Sequence, residues 1–433
     1  VYQDNEGNVW FGSNLGLTRL RFSGFQHIDP EDGLGRWLHF FAEDNAGNVY
    51  IMGENVLKKW DGNELTDFLP EIFMQGKVVL TAMRFAPNGD IYLGSNAGDI
   101  YYARKGKLKG EVDLMGDKRA RINDIRTLPD GRVFAGNGAY LYELKEGKVV
   151  HRFASVQPDK SRTGKLAYDQ KGGLWMGMNY LDGDALVSHA ADDPVVGLGT
   201  YDVESDSKGN IYFAFHESKL CRYDGKKWRA YHLKKYNLAS HRAYCLITDH
   251  NDDLWLATAR GLDHLRLDED GEVLQVNHYG YEEGFHGLEA GENSTFCDSK
   301  GRIWVSTIRG VTFFHPDDLT RNEFPPQIHI REVQLDFETV DWTQYADSIE
   351  PYSDLPVDLK LPHDENHLTF RFSGINIKSP ENVSYSYHLE GQGEKWSPPI
   401  AEEQVTFSNI APGSYTFKVK AGNGDGVWNE VPA

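Results

Sequence analysis

The chain has 433 residues, 40% hydrophobic and 25% charged, an ordinary globular balance in a length that one compact domain rarely reaches unless it repeats. With 45 Lys and Arg against 65 Asp and Glu, the net charge is −20, which repels nucleic-acid phosphates and anionic membrane surfaces and argues against DNA binding. No run of about 18 apolar residues occurs, so no membrane-spanning helix is expected within the chain.

The first residues, from Val1, already follow a strand-like pattern with no Met or signal peptide, and the sequence stops at Ala433 without a tail. Both ends read as cuts in a longer protein, so an export signal or membrane anchor is expected outside the sequence. Next comes the dominant signal, a repeat: an acidic or polar turn, a Gly, then apolar, aromatic and apolar residues. Its first copy is Asp4-Asn5-Glu6-Gly7-Asn8-Val9-Trp10-Phe11-Gly12. Further copies occupy residues 44–53, 87–94, 129–136, 169–177, 206–214, 249–257 and 298–306. The aromatic positions are Trp10, Tyr50, Tyr92, Phe134, Trp175, Tyr212, Trp255 and Trp304, about 40 residues apart. Each copy reads as a four-stranded meander whose tight turn uses the positive φ of Gly. The spacing leaves no room for helices, so the expected fold is all-β, a β-propeller of seven or eight blades. The repeated aromatic is expected as a wedge between blades. Asp252 stands where the seventh copy should have its Gly, which predicts a different turn there. Cys221, Cys245 and Cys297 form no C-x-x-C motif and are expected as small buried residues.

The repeat ends near Phe314, and Pro316, Pro325 and Pro326 punctuate a linker. Alternating strands resume at residues 327–334, 367–374, 384–390, 404–409 and 414–422. The expected division is a propeller over residues 1–325 and an immunoglobulin- or fibronectin-like β-sandwich over 326–433, with a last strand missing after Trp428.

These residues resemble the two-component regulator propeller repeats joined to a triple-tyrosine (Y_Y_Y) domain. The repeat Asp-x-x-Gly-x-Val/Ile/Leu-Trp/Tyr carries the first half of the resemblance. Tyr385-Ser386-Tyr387-His388-Leu389-Glu390-Gly391, Trp396, Pro412-Gly413-Ser414-Tyr415-Thr416-Phe417 and residues 421–428 carry the second. The signature tyrosines map onto Tyr385, Tyr387 and Tyr415, while Phe407 replaces a frequent further Tyr. The resemblance implies the periplasmic sensor region of a hybrid two-component histidine kinase. It implies an oligosaccharide ligand, a homodimer through the sandwich, control of transcription, and a membrane helix and kinase beyond this sequence. Family members often carry a second, preceding propeller.

A propeller presents ligands at one end of its channel, on loops entering the inner strands and linking the second and third strands. Applied to the repeat, this selects Arg36, Trp37, His39, Asn179, Tyr180, His216, Glu217, His241, Arg242, Tyr244, Arg260, Glu292, Asn293 and Arg309. Aromatic faces and planar polar groups of this kind suit sugar rings and hydroxyls. Asp249-x-Asn251-x-Asp253 resembles the start of a calcium loop, but Arg260 stands where the closing carboxylate belongs, so it reads as a structural turn. No metal or cofactor is expected. There is no H-E-x-x-H, no G-x-S-x-G and no phosphate loop. Glu282-Glu283 and Glu402-Glu403 read as solvated surface acids. A propeller-type carbohydrate-active enzyme and a protein-interaction scaffold remain the alternatives.

Overall fold

The computed structural model describes all residues except 21–22, 36–38, 75, 117–119, 155–164, 170–171, 193–198, 216–218, 237, 239, 241–242, 282, 288–289, 320–321 and 394. Contacts divide the chain into two compact units, Gly24–Leu319 and Val1–Ser23 with Thr320–Ala433. Among the described residues, no helix is long and apolar enough to cross a membrane.

Within Gly24–Leu319, the described residues form seven four-stranded antiparallel sheets. Their innermost strands are Phe40–Glu43, Leu80–Phe85, Asp124–Thr127, Leu166–Tyr168, Thr200–Ser205, Ala243–Thr248 and Ala290–Cys297. Each touches the next and the seventh touches the first, so the sheets are blades of a closed ring. The seventh blade borrows its outer strand from the start of the unit. Gln26–Ile28 pairs antiparallel with Gly310–Phe314, Ile28 facing Val311. The first repeat copy is therefore not a blade of this ring. Its strands Tyr2–Gln3, Val9–Ser13 and Gly16–Leu20 make a separate three-stranded sheet in the other unit. The ring thus starts later than the residue 1 read from the repeat, because the closing strand follows that copy.

The repeat motif has a direct physical cause. In the seventh blade, one Asp298 oxygen accepts the Lys300 and Arg302 amides (3.0 and 2.9 Å), and the other accepts Trp304 Nε1 (2.8 Å). Asp249 does the same with Asn251, Asp253 and Trp255, and Asp44 with Ala46, Asn48 and the Tyr50 hydroxyl. The aspartate thus closes the turn and satisfies the polar atom of an aromatic that must be buried. Trp175, Trp255 and Trp304 are almost completely buried, as expected for blade wedges. At about 25 cal/mol per Å², each such side chain contributes on the order of 4 kcal/mol of burial.

The turn at Asp252 does not differ from the others, contrary to the sequence expectation. Asp252 adopts φ 64, near Gly301 at φ 78, and closes the same backbone bond (3.1 Å to Asp249 O, against 2.9 Å for Gly301 to Asp298 O). Its carboxylate receives the Ser207 amide (2.7 Å) and hydroxyl (2.8 Å), contacts that a glycine could not make. Cys221, Cys245 and Cys297 are free, and burial pushes the Cys221 thiol up to about 12.

The other unit is β as well. Gln327–Leu335, Leu368–Ile375 and Gln404–Phe407 form one sheet, and Ser384–Glu390 pairs with Thr416–Gly422. Phe372, Val383, Tyr385, Val419 and Ala421 fill its core, with Phe370 stacked on Phe417 at 4.1 Å. The signature tyrosines are structural. Tyr385 is buried and its hydroxyl accepts the Gly374 amide (3.0 Å). Tyr387 packs edge-on against Phe407, and the Tyr415 hydroxyl donates to Ala411 O (2.9 Å), a tyrosine corner. Ala433 exchanges two backbone bonds with Val419. The three-stranded N-terminal sheet is tied into this unit by Glu6, whose carboxylate accepts the Ile377 and Lys378 amides (2.7 and 2.6 Å).

Candidate functional site

A four-stranded meander puts its first and third turns at one end and its second turn and the crossover to the next blade at the other. The aspartate turns therefore share one end of the ring. The second turns, at residues such as Arg260 and Arg309, share the opposite end with the entries to the inner strands.

The inner strands carry polar residues where a blade interior would be apolar, and these meet in the channel. Lys165 Nζ contacts Asp202 (2.8 Å) and Glu204 (3.4 Å), and Arg126 contacts Asp124 (3.1 Å) and Glu204 (3.5 Å). Burial disfavours the charge on Lys165, but Asp202 and Glu204 outweigh it and hold the ammonium protonated above the ordinary lysine range. The acids also stitch blades together. Asp124 accepts the Leu166 amide (3.0 Å) and Asp202 the Leu246 amide (2.8 Å), each on the next blade's inner strand. Thr81 donates likewise to Ile122 O (2.6 Å).

A cavity of about 200 Å³ lies along this channel, lined in part by Arg84, Asp124, Arg126, Lys165, Glu204 and Asn293. Pockets that engulf drug-sized ligands measure roughly 300–1,000 Å³, so this cavity is smaller than such a pocket. Arg84 differs from the other two cations. No carboxylate among the described residues lies within ion-pair distance of it, and its Nε reaches only Thr127 Oγ1 (3.4 Å). Burial, then repulsion from Arg126, lowers its pKa.

At the mouth, the inner strands of the fifth, sixth and seventh blades are irregular. The register slips between Thr200 and Asp202, between Ala243 and Cys245, and between Ala290 and Thr295. Bulges re-aim side chains and are frequent beside binding sites. The bulged residues Tyr201 and Tyr244 are half-buried and meet edge-to-face at 6.0 Å. Asn293 has φ 63 and its amide donates across the channel to Asn123 O.

The sequence-derived set is thus partly assembled. Tyr244, Asn293, Arg260 and Arg309 lie at this end, the two arginines exposed on second turns. Arg36, Trp37, His216, Glu217, His241 and Arg242 lie outside the described residues, as does the Glu292 side chain. Three choices need correction. His39 is fully buried, with Nε2 on Leu34 O (2.9 Å) and Nδ1 on Ser306 Oγ (3.2 Å), so it fastens the ring instead of facing ligand. Asn179 is buried and its amide donates to Met176 O (3.3 Å) in its own turn. Tyr180 packs on Trp175 (5.1 Å), and a Cβ at Gly173 would strike its hydroxyl. Its ring therefore runs toward the aspartate-turn end, away from the mouth. Sequence reasoning missed Arg84, Arg126, Lys165, Tyr201, Asp202 and Glu204. The available signal was charge inside otherwise apolar inner strands.

The C-terminal unit holds a separate groove of about 1010 Å³, lined by residues including Glu332, Trp342, Arg371 and Glu403. Glu332 binds Arg371 (3.3 Å) and Gln334 (3.0 Å), so its charges are largely mutually satisfied. Glu403, read as a solvated acid, accepts the Tyr385 hydroxyl at 3.4 Å.

Residues 376–433 match the family model described as Y_Y_Y domain. A histidine kinase of Formosa agariphila, "Histidine kinase P4", is 24% identical over 317 residues, 69% of this chain and 22% of that protein. The extracellular domain assigned to a hybrid two component system of B. thetaiotaomicron superposes with a TM-score of 0.72 at 18% identity, covering 100% of this chain and 60% of that one. The virginiamycin B lyase of Staphylococcus aureus superposes with a TM-score of 0.52 at 13% identity, over 67% of this chain and 98% of that one. The chain spans 22% of the curated relative's length.

Proposed function

We propose that this chain is the extracytoplasmic sensor region of a bacterial two-component histidine kinase, periplasmic in the cell, that binds an oligosaccharide at the mouth of the seven-bladed ring. The observation that carries the reading is the union of a closed propeller with a match to the Y_Y_Y domain in one chain, which is similar in sequence to a histidine kinase and in fold to a two-component extracellular domain. The Tyr201–Tyr244 pair supplies aromatic faces, and Arg260 and Arg309 supply planar donors for hydroxyls at the same end. The sandwich then passes the bound state onward through a homodimer to a kinase encoded outside this sequence. A ligand shifts that equilibrium only by its differential affinity for the two signalling states.

A thermal-shift screen against neutral and acidic oligosaccharides tests the reading, because a ligand that binds the native state raises its apparent stability. A hit is then titrated by calorimetry against Tyr244→Ala and Arg309→Ala. Both are expected to weaken binding at least tenfold without lowering the ligand-free Tm. Unchanged affinity in both variants rejects the mouth as the site. The likeness in fold to a propeller lyase favours a second reading, an enzyme acting at the same end. Formation of a cleaved product from the bound glycan selects it over the sensor.

A further inference from the structure

At the opposite end of the ring, three side chains converge that neither the sensor reading nor the repeat requires. His250 lies in the aspartate turn of the sixth blade, while His315 and Asp317 follow the third strand of the seventh. His250 Nε2 faces Asp317 Oδ1 at 3.7 Å, and His315 Nδ1 faces Asp317 Oδ2 at 3.7 Å. The ring centroids are 5.2 Å apart, tilted by 40°. Both remaining imidazole nitrogens turn toward Gly301, where a Cβ would sit 3.0 Å from His315 Nε2 and 3.3 Å from His250 Nδ1.

The geometry points to a divalent transition-metal site of the zinc type, which we propose is formed by His250 Nε2, His315 Nδ1 and one oxygen of Asp317. Both 3.7 Å separations are too long for hydrogen bonds. They run to the two different oxygens of Asp317, so its carboxylate turns to bring one oxygen to both nitrogens; the ligand atoms already lie within 4.8 Å of one another, against an edge of about 3.4 Å for a tetrahedron with bonds of roughly 2.1 Å. The Asp317 amide donates to His315 Nδ1 (3.2 Å), so this nitrogen carries its lone pair, the form a metal takes in exchange for that hydrogen bond. Two imidazoles and one carboxylate favour zinc, nickel or copper over calcium or magnesium, which prefer oxygen ligands. Water completes the shell, because His250 and Asp317 are exposed. A bound ion would join the sixth and seventh blades beside the strand that closes the ring.

The neighbouring group Asp249, Asp253 and His264 does not compete. Asp249 is occupied by its turn and Trp255, and His264 lies on Asp253 (3.0 Å) and stacks on Trp255 (4.1 Å).

Calorimetric titration of the chelator-treated chain with zinc, calcium and magnesium tests the site, with Tm read in parallel. One equivalent of zinc is expected to bind and raise the Tm, with at least tenfold preference over calcium and magnesium. His250→Ala and Asp317→Asn are each expected to weaken zinc binding at least tenfold while leaving the metal-free Tm unchanged. Should one variant fold poorly, the other decides. Absence of a one-equivalent zinc event, equal affinity for calcium, or zinc binding unchanged in the folded variant overturns the proposal. None of these results bears on oligosaccharide binding at the mouth.

Discussion

Single residues show where a local rule is broken and what compensates. Asp252 holds a left-handed φ that costs a non-glycine residue about 1 kcal/mol, and its two bonds to Ser207 in the neighbouring turn offset that cost. Asp252→Ala keeps the strain and loses the bonds, so urea unfolding is expected to show a loss of about 2 kcal/mol, whereas Asp252→Gly relieves the strain and loses less than about 1 kcal/mol. Equal losses in the two variants would refute this account. Lys165 is the buried counterpart. Lys165→Met leaves Asp202 without its cation and is expected to cost about 3 kcal/mol, with much of the loss recovered in the double variant Lys165→Met, Asp202→Asn, which removes the charge and keeps an oxygen for the Leu246 amide. At this scale the sequence was least legible. Composition marks His39 and Asn179 as polar, but only the fold shows that Leu34 and Ser306, or a turn carbonyl, already hold them.

Elements were far easier to read, because the aspartate turn is written in short-range contacts. An acid, two amides and an aromatic fall within six residues, so the pattern survives in the bare sequence. Side-chain direction is a different matter. Tyr180 is expected from the repeat on a loop at the ligand end, whereas it stands on a strand where packing on Trp175 decides its direction. The turn chemistry also predicts an acid response. Burial works to raise the Asp44 and Asp90 carboxyls, but bonds from Asn48, Ala46 and Tyr50 on the first, and from Arg104, Asn88 and Tyr102 on the second, leave both below the usual carboxylate range. A carboxyl lowered on folding stabilises the native state above its unfolded pKa, and that contribution disappears as pH falls through the folded value. The Tm is therefore expected to hold between about pH 7 and 5 and to drop below about pH 4. Asp44→Asn should lessen that drop, and a Tm at pH 3 equal to that at pH 7 would sink the link to these turns.

The whole molecule depends on one pairing that local pattern does not announce. Eight copies of the motif are present, yet the first lies outside the ring, since the motif marks the middle of a blade and carries no information about which strand closes it. Closure instead comes from Gln26–Ile28 against Gly310–Phe314, where His27 also bonds Thr312 (2.9 Å) and Gly284 O (3.1 Å). In an open ring the first and seventh inner strands lose each other, and Trp304 loses the cover that Ile28, Val49 and Ile51 provide in one shared cluster. Two truncations separate these roles. Removing residues 1–23 takes away a sheet whose Tyr2 and Leu17 are 65% and 67% exposed, and leaves the seventh blade four-stranded. Its ring is expected to unfold within a few degrees of the full chain and to self-associate less, since uncovered apolar sheet surface promotes association. Removing residues 1–28 deletes the closing strand and bares the edge of Gly310–Phe314. That variant is expected to lose the cooperative transition of the ring in calorimetry or to aggregate, and a transition matching that of the shorter truncation would show that closure by this strand does not hold the blades together.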